Sequence, residues 1–135
     1  MKSLLPIAIV LALATAYGLW YQRSRGKVVV KSDKGLITQE MIGAPLGSRV
    51  TLVQFSSAFC SPCRATRMLL EDVTAEMSDV AYVEIDAEAN LELVRTLDIR
   101  STPTTLFLDR TGHEVGRAMG APKRDQVLSA ISAIH

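Results

Sequence analysis

The apolar run Val50-Thr51-Leu52-Val53-Gln54-Phe55, followed within five residues by Cys60-Ser61-Pro62-Cys63, constrains the chain more than any other feature. A short, β-branched run of that length reads as a buried strand, and the pattern downstream of Pro62 reads as an amphipathic helix. Met68, Leu69, Val73 and Met77 recur at three- or four-residue spacing and predict its buried stripe, with Arg67, Glu71, Thr74 and Ser78 on the other side. The cysteines, the only two among 135 residues, therefore sit where a strand gives way to a helix. Spaced C-x-x-C, with no further cysteine to bond, they can close a disulfide with each other and open it again. They read as a redox pair, not as a disulfide framework.

The remaining pattern supplies a sheet for that turn to sit on. Val28-Val29-Val30 predicts an edge strand, Leu36 to Ile42 a short helix begun at Thr38, and Ala44 to Ser48 a turn. Val80–Ile85 predicts a second buried strand, and Asn90 a cap for a helix carrying Leu91, Val94 and Leu97. Thr104–Leu108, the turn Asp109-Arg110-Thr111-Gly112 and Glu114–Met119 predict a hairpin. After Gly120, Pro122 fits a first helical turn whose buried face holds Val127, Leu128, Ile131 and Ile134. The order β-α-β-α-β-β-α predicts an α/β fold, a central mixed sheet covered by helices.

Leu4 to Trp20 is seventeen residues without a charge, closed by Tyr17, Trp20 and Tyr21. As a helix it measures about 26 Å, enough to span a hydrocarbon core of roughly 30 Å with snorkelling flanks. The alternative is a cleaved signal peptide, with Lys2 as its basic end and Ala14-Thr15-Ala16 as its cleavage site; apolar character continuing past that site favours an anchor. Residues 1–35 carry six Lys/Arg against one Asp, and the rest carry nine against thirteen acids. A basic stem on a mildly acidic body suits a membrane surface and does not suggest nucleic-acid binding. The expected organisation is an anchor over 1–21, a basic tether with short leading elements over 22–43, and a globular domain over 44–135. The basic flank favours a cytoplasmic domain by the positive-inside rule, whereas a short leading segment favours export. The face stays open at this point.

Thiolate is the attacking form of cysteine, and a helix N-terminus lowers the thiol pKa. Cys60, at the predicted helix start, is the expected nucleophile; Cys63, one turn on and more enclosed, is the expected resolving thiol. Pro62 lacks an N–H and stiffens the turn where none is needed, and Arg64 adds positive charge. Zinc needs four ligands, and His113 and His135 fall in a turn and at the terminus, so no metal site is expected. Met68 and Met77 read as core fillers and His113 as a solvated turn residue. Two thiolates can hold Cu(I), which leaves a non-enzymatic thiol module, a redox adaptor or copper-binding chaperone, as the alternative function.

The run Phe55-Ser56-Ser57-Ala58-Phe59-Cys60-Ser61-Pro62-Cys63-Arg64 resembles the active-site segment of the thioredoxin superfamily. Asp98-Ile99-Arg100-Ser101-Thr102-Pro103-Thr104 is similar to the segment carrying that family's cis-proline, and Gly120 fits its late glycine. The resemblance covers roughly residues 45 to 134. It implies a thioredoxin-like fold, a cis bond before Pro103, and a docking surface of Phe59, Ser61, Pro62, Thr102 and Pro103 beside the catalytic pair Cys60 and Cys63. It implies as partners a protein substrate with a disulfide or thiol pair and an external thiol reductant or reductase. No bound cofactor is expected, since the chain has no flavin or nicotinamide fingerprint. Departures from the family pattern are Phe59 for tryptophan, Ser61 for glycine, Tyr82 for lysine, and Gln54 for a buried aspartate. Gln54 cannot act as a carboxylate base, so water, an inward Glu84 or no dedicated base serves Cys63. The pattern predicts a specialised, membrane-tethered thiol–disulfide oxidoreductase that most readily reduces protein disulfides.

Overall fold

Every residue of the strand Val50–Ser56 is buried, and that single strand organises the rest of the chain. A strand reads as a continuous apolar run when both faces of its sheet are covered. In the computed structural model, residues 4–24, 28–29 and 35–135 are described. Lys2, and the parts of the expected tether over 25–27 and 30–34, lie outside the described residues. The elements are α1 (Leu4–Ser24), β1 (Val28–Val29), α2 (Gln39–Ile42), β2 (Val50–Ser56), α3 (Ser61–Thr74), β3 (Val80–Asp86), α4 (Leu91–Thr96), β4 (Thr104–Asp109), β5 (Glu114–Met119) and α5 (Arg124–Ser132). Among the described residues five strands form one sheet in the order β1-β5-β4-β2-β3. The β2–β3 pair is parallel and the others are antiparallel.

The alternation of side chains along β2 divides the interior in two. Val50 and Leu52 pack with Leu70 and Val73 of α3, Val127 and Ile131 of α5, and Phe107. Val53 and Phe55 point the other way, against Ile37, Ile42, Leu97, Ile99, Leu106 and Leu108. Gln54 has the parity of Leu52, so it faces α3, the helix that carries the cysteines. The expected mixed sheet with helices on both faces is the observed one.

Several local expectations change. The buried stripe of α3 is Cys63, Thr66, Leu70 and Val73, and Met68 is 65% exposed. Met68 stands two residues from both Thr66 and Leu70, about 200° around the helix. The helix buries a cysteine and a threonine, which carry no apolar signal, so the spacing puts Met68 on the wrong face, while Val73 is buried and Leu69 and Met77 pack against the core as expected. The strand β3 is buried only at Val80 and Ile85, because it is the sheet's edge. Asn90 precedes α4 as expected but makes no cap bond; its amide donates to the Asp86 carbonyl at 2.9 Å. Leu91 is exposed, and it is Leu97 and Ile99, just past α4, that enter the core. Pro122 lies before the N-cap Lys123, whose N–H donates to the Gln126 side chain at 3.0 Å.

One buried ion pair ties the sheet to the loop before β4. The Arg117 guanidinium donates to both carboxylate oxygens of Glu114, at 2.6 and 2.9 Å. It also donates to the carbonyls of Leu97 (2.9 Å) and Asp98 (3.1 Å). These bonds satisfy carbonyls at the end of α4 that its own turns leave open. Asp98 adopts a left-handed φ of 55° there, and the chain turns toward Pro103.

The helix α1 is apolar as far as Tyr21 and polar in its last residues, with a mean hydropathy of 1.8 over Leu4–Arg23. Its 21 residues measure about 31 Å. By length and composition it is a candidate membrane span, and a signal sequence meets the same test. Tyr17 stacks near Tyr21 and Trp20 at its polar end, with ring centroids 6.3 and 6.0 Å apart.

Candidate functional site

Cys60 is the N-cap of α3, in extended backbone geometry, and its Sγ accepts the Cys63 N–H at 3.2 Å. Ser61 and Pro62 open the helix, and Pro62 gives up only an N–H that has no intrahelical acceptor. The one-turn spacing brings the two sulfurs together as a disulfide, with S–S at 2.04 Å and Cα atoms 5.2 Å apart. The two cysteines differ in access, as the sequence predicted. Cys63 is 2% exposed, while Cys60 is partly exposed at the surface turn. On reduction, a thiolate at Cys60 faces the unpaired N–H groups and positive dipole end of α3, which favour the anion.

Gln54 lies beneath this turn and is completely buried. Its amide nitrogen donates to the Cys63 carbonyl at 2.9 Å, and its amide oxygen accepts from the Tyr82 hydroxyl at 2.6 Å. The same hydroxyl lies 3.2 Å from a Glu84 carboxylate oxygen. Ser56 donates to the other oxygen of Glu84 at 3.1 Å, and Arg67 of α3 pairs with Glu84 at 3.2 Å. Burial, reinforced by the Glu84 charge, pushes the Tyr82 phenol well above its usual range, so it stays a protonated donor. The position of Tyr82 follows from register: β2 pairs Gln54 with Glu84 and Leu52 with Tyr82, all on the α3 face.

Glu84 is exposed, on the α3 side of the edge strand β3. With Ser56, Ser57, Phe59, Cys60, Cys63 and Arg67 it lines a cavity of about 370 Å3, open at the surface. Glu84 is the one carboxylate in that lining.

The segment before β4 closes the other side of the cysteine turn. The Thr102–Pro103 bond is cis. The hydroxyls of Ser57 and Thr102 are hydrogen-bonded at 3.1 Å, and the Gly120 N–H donates to the Pro103 carbonyl at 2.8 Å. Pro62, Thr102 and Pro103 line a second cavity of about 340 Å3 together with Gly120, Ala121, Gln22 and Lys123. Pro62 thus meets Thr102 and Pro103 in one groove, while Phe59 and Ser61 lie with the cysteines on the other side of the turn. Phe59 is fully exposed, an aromatic ring held against solvent at the rim.

Sequence reasoning missed Ser57 and Arg67. Ser57 stood within the quoted cysteine segment but offered no signal of its own. Arg67 read as a solvated residue of the polar helix face; the parallel β2–β3 register, which places Glu84 beneath α3, was the signal that could have found it.

The Thioredoxin family model matches residues 38–133. The chain is 30% identical to the Chlamydia pneumoniae thioredoxin over 97 residues, covering 72% of this chain and 94% of that protein. It is 30% identical to Thioredoxin H2-1 of Oryza sativa subsp. japonica over 88 residues, covering 65% of this chain and 62% of the rice protein. Among solved structures, Fasciola hepatica thioredoxin matches with a TM-score of 0.59 at 26% identity, over 66% of this chain and 84% of that one. The matched span runs from the N-cap of α2 to the C-cap of α5 and takes in both the cysteine turn and the prolyl loop. The chain belongs to the thioredoxin family, and its chemistry is that of a thiol–disulfide oxidoreductase.

Proposed function

We propose that the protein is a membrane-anchored reductase of protein disulfides, in which Cys60 attacks and Cys63 resolves. The observation that carries this reading is the asymmetric pair at the tip of α3: one sulfur at a surface turn, its partner buried and already within bonding distance. The Cys60 thiolate attacks one sulfur of a substrate disulfide, and the other substrate sulfur leaves as a thiolate that takes up a proton. Cys63 then gives up its proton and attacks Cys60 Sγ. The second substrate thiol departs, and the protein is left with the Cys60–Cys63 disulfide. Two electrons have passed to the substrate, and an external dithiol or thiol reductase restores the pair.

Pro62, Thr102 and Pro103 form the groove of the docking surface, and Phe59 and Ser61 flank it on the other side of the cysteine turn. The Ser57–Thr102 bond ties the prolyl loop to the cysteine segment, and the backbone at Thr102 offers strand-like pairing to an extended substrate segment. Gln54 cannot accept a proton from Cys63, but it fixes the Cys63 carbonyl. Glu84, in the same cavity as both sulfurs, takes that proton through cavity water. α1 serves as the single-pass anchor, with Tyr17, Trp20 and Tyr21 at the interface, and the globular domain, expected over 44–135, also takes Ile37 and Ile42 into its core.

Insulin reduction driven by dithiothreitol tests the assignment. The full chain accelerates precipitation of the insulin chains, and Cys60→Ser abolishes the acceleration. A non-catalytic thiol adaptor or copper carrier gives no turnover with either protein.

A further inference from the structure

The register of β1 fixes where the membrane stem joins the domain. Val28 pairs with Ala118 and Val29 with Arg117, antiparallel to β5. Followed backwards from Val28, the chain therefore heads toward the end of the sheet where β5 finishes at Met119. Met119 pairs with Thr104, and Thr104 with Phe55, so this is also the end where β4 begins after Pro103 and where β2 leads into the cysteine turn. α1 ends at Ser24, four residues before Val28. Four residues reach at most about 14 Å. An independent contact agrees: Gln22, in the last turns of α1, lines the same groove as Pro62, Thr102, Pro103, Gly120 and Ala121.

We infer that the redox face is held against the membrane surface, and that its substrate is a disulfide on an extended segment of an integral membrane protein, presented at headgroup level. This rests on the reading of α1 as an anchor. With the stem entering at the opposite end of the sheet, the same tether would aim Cys60 into solvent. Entering here, it places the docking groove within a few residues' reach of the end of the apolar helix. The exposed Phe59 and Met119, at the cysteine turn and at the end of β5, suit such an interfacial setting. Arg23 and Lys123, near the helix end and the groove, suit an anionic headgroup layer. A short tether raises the effective concentration of a partner at its own height and lowers it for one held far off.

The test uses the full chain in phosphatidylcholine–phosphatidylglycerol vesicles with dithiothreitol as electron donor. Two single-span reporter peptides carry the same disulfide loop, one about two residues beyond the bilayer and one about forty residues beyond it. The wild type reduces the near reporter faster, by about tenfold or more. Inserting thirty Gly/Ser residues after Gly26 removes that preference while insulin reduction in detergent continues. Equal rates at both heights, with the chain retained after alkaline carbonate washing, overturn the inference and leave the anchor standing. Release of the chain by carbonate overturns the anchor, and the inference with it.

Discussion

The side-chain amide of Gln54 donates to the backbone carbonyl of Cys63 across 2.9 Å of fully buried space. A glutamine in this position holds the first turn of α3 from below through a neutral hydrogen bond. It also passes its own oxygen to Tyr82, so both ends of the amide are satisfied. The resolving cysteine is thereby positioned without a charge beneath it.

Replacing Gln54 with aspartate removes the donor to Cys63 and places a carboxyl in a buried site. Burial raises such a carboxyl above its ordinary range, so it ionises closer to neutrality. The Cys63-dependent step then acquires a rise with pH around neutrality that the wild type lacks at this position. Stopped-flow decay of the mixed disulfide from pH 5 to pH 9 measures it, and an unchanged profile denies the site any influence on proton transfer. The unpaired Cys63 carbonyl costs about 1–3 kcal/mol in urea unfolding.

Glu84→Gln keeps the shape but removes the proton acceptor, one of the two oxygens facing Ser56 and Tyr82, and the charge paired with Arg67. Resolution by Cys63 slows by about tenfold or more. Attack by Cys60 on the substrate proceeds at the wild-type rate. Single-turnover quenching separates the two steps; equal slowing of both assigns Glu84 to docking instead.

Arg117→Met leaves the Glu114 carboxylate buried without its partner and opens the carbonyls of Leu97 and Asp98. Breaking a buried pair in this way costs about 3–5 kcal/mol. Urea unfolding followed by far-UV circular dichroism reads the shift in midpoint. A loss below about 1 kcal/mol, the range of an exposed pair, contradicts the role given to this residue in holding the prolyl loop.

Asp109 closes the β4–β5 turn. Its partial burial favours the neutral acid, but the Thr111 hydroxyl and the N–H groups of His113 and Thr111 outweigh it and hold its pKa below the ordinary 3.8. A folded pKa below the unfolded one stabilises the protein above the unfolded value, and the contribution fades as pH falls through the folded one. Asp109→Asn is therefore less stable than the wild type at pH 7, and the gap closes as pH is lowered from about 4. Thermal unfolding at pH 7, 4 and 3 checks this; a gap independent of pH assigns the effect to shape alone.

The strand–turn–helix around Val50–Cys63 was legible because its signals are local: a doubly covered strand, a proline where a helix opens, and two thiols with no other partner. The hairpin from Thr104 to Met119 was legible for the same reason, since its turn carries Asp109 and Gly112. Met68 misled because the α3 face is chosen by what lies beneath it, and the sheet took Cys63 and Thr66 inward. The edge position of β3 depends on strand order, which side-chain alternation does not encode. Ser57–Thr102 and Arg67–Glu84 join residues distant in sequence, and each became visible only once the register was fixed. Gln54 stood out as a departure from a family pattern, but its partners did not.

The most direct measurement of the central claim is the fate of Cys63→Ser. The reduced variant, mixed with a protein disulfide, quenched in acid and run on a non-reducing gel, accumulates a one-to-one covalent adduct through Cys60, while the wild type passes through that adduct and releases reduced substrate. Absence of the adduct, or an adduct that persists when Cys60 is also replaced, contradicts the account.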